Sequence, residues 1–357
     1  MKKYFSVHIF DTIIIGGGQA GLSIAYFLRR SDLDYLIIDD QKRAGGTWLN
    51  TWESLKLFSP SEYSSLSGWQ MPKSNYEYPT RDEFIKYLIA YEERYNFPLK
   101  RNTLVHRVVK ENDIFKIETN RGNLYARTVV SATGATRVPY VPNYPNQGLF
   151  TGMQLHSVDY RNTKIFEGKK VLVVGGGNSG AQILAELSKV ARTKWITLDA
   201  PRFLPEEMDG RYLFHQANSR YFKSETLNQN GEASLSDIVQ VEIVKDGLER
   251  NIYKDLRPFA SFYEQGIIWS NGEKEAFDAI LWCTGFRPNL DHLKPLNIIE
   301  NNRIKTEHTR ALKEPRLWLV GYGNWTGFAS ATIYGVGKTA RATVKEIKAY
   351  FENMAEY

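Results

Sequence analysis

The sequence contains the same kind of segment twice, and this repeat constrains the fold more than any other feature. In the first copy, the apolar run Ile13 to Ile15 predicts a short buried strand that leads into residues 16–21 (GGGQAG), which fit the pattern G-x-G-x-x-G. A helical pattern follows, and then a second apolar strand that ends at Asp39. Strand, glycine turn, helix, strand and acid in this order are typical of a dinucleotide-binding unit.

Each glycine of such a unit has a separate task. Gly16 permits the tight turn, Gly18 lets the backbone approach a pyrophosphate, and Gly21 lets the helix pack close to the strand. The helix N-terminus presents unpaired N–H groups and a positive dipole end to the phosphates. Asp39 stands where a carboxylate accepts hydrogen bonds from an adenosine ribose. We therefore predict nucleotide binding here, and not a purely structural glycine turn.

The second copy begins about 160 positions later. Residues 170–174 form an apolar strand, residues 175–180 (GGGNSG) fit the glycine pattern again, and a strand over 195–198 is predicted to end at Asp199. Gly16 and Asp39 are 23 positions apart, and Gly175 and Asp199 are 24 positions apart. This internal duplication predicts two dinucleotides, each held at its own helix N-terminus.

Other segments have simpler patterns. Apolar runs that end in Ala132-Thr133-Gly134 and in Thr284-Gly285 predict strands whose small final residues let a ligand approach the carboxyl edge of a sheet. Helices are predicted over 81–94 and 330–351, and short antiparallel strands over 104–109, 114–118 and 124–126. Residues 201–263 are irregular and polar, and no helix or strand is predicted there.

The composition narrows the class of protein. A chain of 357 residues favours about two domains, and 42% hydrophobic residues suffice for real cores. The net charge of +6 comes from scattered Lys and Arg residues, which predicts attraction of anionic dinucleotides and no nucleic-acid binding. One cysteine and no long apolar stretch indicate a cytoplasmic protein without a membrane contact. The six His lack metal-ligand spacing, so no metal is predicted.

Residues 150–160 (FTGMQLHSVDY) match the fingerprint F-x-G-x-x-x-H-x-x-x-F/Y just before the second glycine unit. With the two glycine units and the Gly46-Thr47-Trp48 turn, they make the sequence resemble the flavin-containing monooxygenases over nearly the whole chain. The resemblance is greatest to short bacterial members. It implies an α/β fold with two Rossmann-like dinucleotide-binding domains, the nicotinamide domain (161–279) being inserted into a discontinuous FAD domain (1–160 and 280–357).

The resemblance also implies the chemistry. FAD would occupy the first unit and NADH or NADPH the second. In this family NAD(P)H reduces the flavin, O2 adds to give a C4a-(hydro)peroxyflavin, and a soft nucleophile such as a sulfide or an amine, or in some cases a ketone, takes one oxygen atom. Because the cofactor performs the chemistry, no catalytic side chain is assigned, and His156 is interpreted as part of a hinge. The expected partners are a small-molecule substrate and O2, and a homodimer stays open.

The predicted cofactor-binding residues fall into two sets. The first set belongs to the first unit and its neighbouring segments and comprises Gly16, Gly18, Gln19, Ala20, Gly21, Asp39, Gly46, Thr47, Trp48, Phe58, Ala132, Thr133, Gly134 and Asn324. Within this set, Trp48, Phe58 and Asn324 are candidates for contact with the flavin ring. Those of the second unit and the later Thr-Gly strand end are Gly175, Gly177, Asn178, Ser179, Gly180, Asp199, Thr284 and Gly285.

Two departures from the family pattern affect specificity. NADPH-preferring relatives usually carry a basic and a hydroxyl residue where this chain has Leu198-Asp199, and a carboxylate there suits a free 2′-hydroxyl and repels a phosphate. NADH is therefore expected to serve at least as well as NADPH, with Arg192, Lys194 and Arg202 as residues that relax the preference. Tyr160-Arg161 stands where dedicated Baeyer–Villiger enzymes have Trp-Pro, which disfavours a committed ketone oxidase.

Three alternatives compete with this interpretation. A disulfide reductase of the same architecture needs a redox-active cysteine pair, which the single Cys283 does not provide. An NAD(P)H oxidase or flavin reductase that releases peroxide stays open, because the outcome depends on how long the oxygenated flavin is shielded from water. A non-catalytic redox sensor is disfavoured, since paired nucleotide units suit hydride transfer.

Overall fold

The computed structural model of the protein describes residues 7–212, 237–327 and 329–355. The chain forms two compact units, of which the first comprises Met1–Leu49, Pro60–Val138 and Arg287–Tyr357, and the second comprises Asn50–Ser59 and Pro139–Phe286. In chain order the second unit is thus inserted into the first. The finer domain limits at 160 and 279 stay a prediction.

The strands are, in chain order, β1 Ile9–Ile15, β2 Tyr35–Ile38, β3 Leu99–Lys100, β4 Val105–Glu111, β5 Ile114–Thr119, β6 Gly122–Ser131, β7 Met153–His156, β8 Lys170–Val174, β9 Arg192–Ile196, β10 Asp255–Leu256, β11 Ser261–Tyr263, β12 Gly266–Ile268, β13 Lys274–Ala276, β14 Ala279–Trp282, β15 Ile299–Glu300, β16 Arg303–Ile304, β17 Thr306–Glu307, β18 Arg310–Ala311 and β19 Leu317–Leu319. The α-helices are α1 Gln19–Leu28, α2 Arg81–Tyr95, α3 Asn178–Leu187, α4 Glu242–Glu249 and α5 Ile333–Ala355.

The first unit is built on a sheet with the strand order β17-β18-β19-β6-β1-β2-β3, in which β19, β6, β1, β2 and β3 run parallel. β5 pairs antiparallel with β6, and β4 pairs antiparallel with β5. Ile13 and Ile14 in the central strand β1 are fully buried, as expected for a parallel strand covered on both faces. Burial of such side chains stabilises the unit by roughly 1.5–3 kcal/mol each.

The second unit is built on a parallel five-stranded sheet with the order β10-β9-β8-β14-β7. A small antiparallel sheet of β11, β12 and β13 accompanies it. The hydrophobic core of the second unit contains Phe150, Phe262, Ile280 and Trp282. A parallel sheet with helices is thus present in each unit, which confirms the predicted α/β class.

The helix predicted over 81–94 is confirmed as α2. Thr80 caps it, because its hydroxyl accepts from the Glu83 N–H at 3.2 Å while the Glu83 carboxylate accepts from the Thr80 N–H at 2.7 Å. The helix ends at Tyr95, and the next residue, Asn96, caps it with a φ of 45° in the left-handed region. The last predicted helix is confirmed as α5, which begins three residues later than predicted and extends to Ala355.

The predictions for residues 124–134 and for the segment 201–263 were wrong. The short strand predicted over 124–126 and the apolar strand that follows it are one ten-residue strand, β6, because residues 125–131 pair with β1 in a single parallel register. Thr12 and Thr128 share a 2.8 Å hydrogen bond between these two strands. The segment 201–263, predicted to be irregular, contains α4, β10 and β11 within its described part. These elements are too short for their periodicity to stand out from a polar sequence. Residues 213–236 of that segment lie outside the described residues.

In the described parts of the chain, no helix combines the length and the apolar character needed to cross a membrane.

Candidate functional site

The first glycine turn has the geometry that a bound pyrophosphate requires. At Gly16, with φ of 108°, an added Cβ would lie 2.5 Å from the Ala132 carbonyl oxygen, and at Gly21 it would lie 1.8 Å from the Gly16 oxygen. At Gly18, by contrast, the nearest atom to an added Cβ is the Gly46 Cα at 3.7 Å. The first and third glycines are therefore packed against backbone, and the middle one leaves space at the helix end.

The second glycine turn repeats this geometry. An added Cβ at Gly175, with φ of 131°, would lie 2.1 Å from the Cys283 oxygen, and at Gly180 it would lie 2.1 Å from the Gly175 oxygen. At Gly177 no described atom lies within 4 Å of an added Cβ. Both turns thus provide an open cradle at the middle glycine, and the residues present fit two dinucleotides.

The helix that follows each turn begins without a side-chain cap. Gly18 is the N-cap of α1 and Gly177 the N-cap of α3, and neither offers a side-chain acceptor. The first-turn N–H groups of a helix have no partner within the helix, and they carry the positive end of its dipole. An anionic phosphate at the start of each helix would accept hydrogen bonds from these N–H groups.

Asp39 is held at the end of β2, where it was predicted. One carboxylate oxygen accepts from the Gly17 N–H at 2.5 Å, and the other accepts from the Gln41 N–H at 2.7 Å and lies 3.0 Å from the Arg101 guanidinium. The residue is 6% exposed. Arg101 also pairs with Glu92. The carboxylate is therefore fixed beside the first glycine turn.

Side chains around Gln19 bring three segments to the start of α1. The Gln19 amide oxygen accepts from the Trp48 indole N–H at 3.0 Å, and its amide nitrogen donates to the Ala331 carbonyl at 2.9 Å. An added Cβ at Gly46 would lie 2.8 Å from the Gly18 Cα, and an added Cβ at Gly321 would lie 2.8 Å from the Ala20 Cβ, so both glycines pack on this turn. The Gly46-Thr47-Trp48 turn is thus next to the predicted pyrophosphate position.

The strand end Ala132-Thr133-Gly134 is joined to the same region. The Ala132 N–H donates to the Ile15 carbonyl at 2.8 Å, which places it beside Gly16. Thr136, two residues after Gly134, accepts a 2.6 Å hydrogen bond from the Thr47 hydroxyl.

Thr133 is positioned by a buried network that the sequence did not indicate. Its hydroxyl shares a 2.7 Å hydrogen bond with the Tyr322 hydroxyl, and the Ser131 hydroxyl lies 2.6 Å from Tyr322 and 3.0 Å from His292 Nε2. Burial lowers the pKa of His292 to about 4 and raises that of Tyr322. The network is therefore uncharged near neutral pH, and Gly134 completes it by accepting from the Asn289 N–H at 2.9 Å.

Two further residues were predicted to lie beside the flavin. Phe58 belongs to the second unit, where its carbonyl accepts from the Gly210 N–H at 2.8 Å. Asn324 is exposed at the start of a short 3-10 helix, and its side chain has no hydrogen-bond partner among the residues described.

In the second unit, Asn178 has a structural task. Its amide donates to the Asp237 carbonyl at 2.8 Å and accepts from the Val239 N–H at 2.9 Å, so both ends of the side chain are used. Ser179 lies in the first turn of α3, and its hydroxyl has no partner within the described chain. Of the two, Ser179 is the side chain available to a nucleotide.

Thr284 and Gly285 correspond to Thr133 and Gly134. β14 pairs with β8 as β6 pairs with β1, and Cys283 contacts Gly175 as Ala132 contacts Gly16. The Gly285 carbonyl accepts from the Tyr140 N–H at 2.9 Å. The two strand ends are therefore equivalent positions of a duplicated unit.

The strand predicted to end at Asp199 ends at Ile196, so that expectation was wrong. Ile15 pairs with Ile38 and Val174 pairs with Ile196, so Thr197 and not Asp199 corresponds to Asp39. The connection before β9 is shorter than the one before β2, and spacing alone therefore selected the wrong residue. Asp199 is exposed in the loop beyond the strand.

The three residues expected to relax the preference between NADH and NADPH lie at different positions along β9 and beyond it. Arg192 is the first residue of β9, so it lies at the amino edge of the sheet, opposite the glycine turn. Lys194 lies in the middle of the strand and pairs with Glu275 at 2.7 Å. Arg202 lies beyond the carboxyl end of β9, where its Nε is 3.5 Å from an Asp237 carboxylate oxygen. Only Arg202 among the three follows the strand on the cofactor side.

The fingerprint residues organise β7 and its neighbours. His156 Nδ1 accepts from the Val158 N–H at 3.2 Å, so Nε2 carries the proton and donates to the Gly285 carbonyl at 3.0 Å. Burial lowers the pKa of His156. The Tyr160 hydroxyl donates to Glu186 at 2.9 Å, and burial raises the pKa of that carboxyl. Because backbone groups occupy both ring nitrogens, His156 has a positioning role and no free basic nitrogen.

Comparisons with known proteins agree with this geometry. The family model described as pyridine nucleotide-disulphide oxidoreductase matches residues 13–321. The solved structure of a flavin-containing monooxygenase from Stenotrophomonas maltophilia is 43% identical, covers 96% of this chain and 99% of that one, and superposes with a TM-score of 0.89.

Two sequence relatives extend the comparison. An uncharacterized CzcO-like oxidoreductase of Geobacillus kaustophilus is 31% identical over 95% of this chain and 99% of its own length. The indole-3-pyruvate monooxygenase YUCCA1 of Oryza sativa subsp. japonica is 25% identical over 94% of this chain and 90% of its own length. With two nucleotide cradles in one chain, these similarities identify FAD and NAD(P)H as the cofactors. The chain belongs to the flavin-containing monooxygenases, within the pyridine nucleotide-disulphide oxidoreductase family whose model it matches.

Proposed function

We propose that this monooxygenase transfers one oxygen atom of O2 to a soft nucleophile, with sulfides and amines as its main substrates and ketones as a further class. The observation that carries the proposal is the duplicated cradle: Gly18 and Gly177 are open at uncapped helix ends in the two units. When bound, FAD would supply the redox chemistry, namely acceptance of a hydride from the nicotinamide nucleotide and activation of O2. The 43% identical monooxygenase of Stenotrophomonas maltophilia supports the same reaction class.

We assign FAD to the first unit. The N-terminus of α1 would bind its pyrophosphate, and the hydrogen-bonded Thr47 and Thr133 would line the adjoining walls. Asp39 would hold the adenosine ribose, because three protein contacts leave about one of its roughly four lone-pair directions for a hydroxyl. Trp48 remains a candidate neighbour of the flavin, and Phe58 and Asn324 are weaker ones.

We assign the nicotinamide nucleotide to the second unit, at the N-terminus of α3. The Ser179 hydroxyl and the open side of Gly177 would meet its phosphates. NADH is expected to be accepted at least as well as NADPH, since Asp199 adds a negative charge to the loop after β9. The chain's own residues bind and orient the two cofactors, and none of them is assigned a proton-transfer step.

Isotope labelling tests the reaction. FAD-loaded protein is supplied with NADH, ¹⁸O2 and methyl phenyl sulfide, and the sulfoxide is examined by mass spectrometry while released peroxide is measured in parallel. One ¹⁸O atom per sulfoxide, with sulfoxide formed in proportion to NADH consumed, supports the proposal. Peroxide equal to the NADH consumed, with no labelled product from sulfide, amine or ketone substrates, would favour the NAD(P)H oxidase.

A further inference from the structure

The carboxyl edge of the second sheet places an arginine in line with the glycine turn. The parallel register aligns Val174 of β8 with Ile196 of β9, and Ile196 with Leu256 of β10. The Thr197 N–H donates to the Leu256 carbonyl at 3.0 Å, which continues the pairing one step further. Gly175, Thr197 and Arg257 are the next residues of the three strands. Arg257 therefore lies on the edge where the nucleotide cradle opens.

Thr197 takes the place of the ribose-binding acid. An added Cβ at Gly17 would lie 3.0 Å from the Asp39 Cβ, and one at Gly176 would lie 3.2 Å from the Thr197 Cγ2. The two side chains thus stand at the same point beside their glycine turns. Thr197 itself carries no charge, and its hydroxyl donates to the Asp255 carboxylate at 3.3 Å. That carboxylate also accepts from Arg257 at 2.6 Å, so its negative charge is offset by the guanidinium.

Arg257 is anchored at this point and still exposed. Its Nη1 donates to the Thr197 hydroxyl at 2.5 Å and approaches the Thr197 carbonyl at 3.2 Å, and its Nη2 donates to Asp255 at 2.6 Å. The side chain is 52% exposed. These contacts use about three of the five N–H groups of a guanidinium, and the other two have no acceptor among the described residues. The cation is pre-positioned, with donors left for an anion.

We propose that Arg257 binds the 2′-phosphate of NADPH and is the residue that lets the enzyme accept this nucleotide beside NADH. Thr197 would orient the guanidinium through its hydroxyl, and Arg257 would approach the phosphate from β10, a strand outside the glycine unit. The planar guanidinium suits a phosphate, because parallel N–H donors match its oxygens. This assignment rests on the proposed function, since it presumes that the second unit holds the nicotinamide nucleotide.

Binding measurements distinguish recognition of the 2′-phosphate by Arg257 from a purely structural role at the sheet edge. FAD-loaded wild type, Arg257→Gln and Arg257→Lys are titrated calorimetrically with 2′,5′-ADP and with 5′-AMP, and KM values are measured for NADPH and NADH. Arg192→Gln is the matched control, because Arg192 is an exposed arginine at the opposite end of β9. In Arg257→Gln we expect 2′,5′-ADP to bind about tenfold more weakly or worse, and KM for NADPH to rise by a similar factor. Loss of a charge-assisted hydrogen bond predicts an effect of this size.

The 5′-AMP affinity and the KM for NADH should stay within about twofold of wild type, and Arg257→Lys should recover part of the loss. An equal effect on NADH and NADPH would overturn the proposal, because it would show that Arg257 only supports the sheet edge. Unchanged binding of 2′,5′-ADP in both variants would also overturn it. If neither nucleotide reduces the flavin of wild type, the proposed function itself fails.

Discussion

Substitution of the middle and last glycines of the second turn should separate nucleotide binding from stability. In Gly177→Ala the new methyl meets no described atom within 4 Å, and the φ of −97° and ψ of −174° are extended backbone that alanine adopts. The weaker N-cap costs about 0.5–1 kcal/mol, and the reduced freedom of the unfolded chain returns about 0.4–1 kcal/mol. The free energy of unfolding should therefore change by less than about 1 kcal/mol.

The same methyl occupies the space at the end of α3 that we assign to the pyrophosphate. Each hydrogen bond lost between a backbone N–H and a charged phosphate costs about 1.5–3 kcal/mol, which is about a 10- to 150-fold loss of affinity. In Gly180→Ala the methyl would lie 2.1 Å from the Gly175 carbonyl oxygen, so α3 must move away from β8. Overpacking of this kind destabilises by about 1–3 kcal/mol or more.

The assay measures urea unfolding, KM for NADH and bound FAD for both variants. Gly177→Ala should keep its unfolding midpoint and lose NADH affinity, whereas Gly180→Ala should unfold at lower urea. FAD content should be normal in Gly177→Ala, because the first turn is unaltered. A Gly177→Ala protein that binds NADH normally would refute the position of the cradle, and a Gly180→Ala protein as stable as wild type would refute the packing of the turn.

Three further substitutions test other parts of the structure. Asp199→Arg should raise the NADPH to NADH ratio of kcat/KM about tenfold by replacing a repelling charge with an attracting one, and an unchanged ratio would remove Asp199 from the specificity account. Asp39→Asn should lower the FAD retained after gel filtration, measured as the ratio of flavin to protein absorbance, and full retention would contradict its assigned place at the ribose. His292 has a folded pKa of about 4, below the unfolded value of about 6.5. Its contribution to the free energy of unfolding is therefore complete above pH 6.5, and about 3 kcal/mol of it is lost as the pH falls towards 4. Urea unfolding at pH 7 and pH 4.5 should therefore show a smaller acid loss in His292→Gln than in wild type, and equal losses would contradict the burial of a neutral His292.

The glycine turns could be predicted from the sequence because their geometry is local. The order of strand, G-x-G-x-x-G and helix determines which glycine contacts the backbone and which one stays open, as Gly16, Gly18 and Gly21 show. The duplication made the second turn equally visible. The parallel sheets follow from the same units, since strands joined through a helix pair in parallel.

Features that depend on strand register or on distant segments could not be predicted. Thr197 and not Asp199 corresponds to Asp39, because the pairing of Val174 with Ile196 decides where the strand ends. Arg257 reaches the same edge from a two-residue strand in a polar segment, where no periodic pattern marked it. The contact of Tyr322 with Thr133 joins residues 189 positions apart, and no sequence pattern indicates such a pair.

The most direct test of the monooxygenase assignment is the reaction of the reduced protein with oxygen. Anaerobic protein is reduced with NADH, mixed with oxygenated buffer in a stopped-flow spectrophotometer, and followed with and without methyl phenyl sulfide. We predict a transient absorbance band that differs from oxidised and reduced flavin and that decays faster when the sulfide is present. Direct return to oxidised flavin at a rate independent of the sulfide, with one peroxide per flavin, would contradict oxygen transfer by this protein.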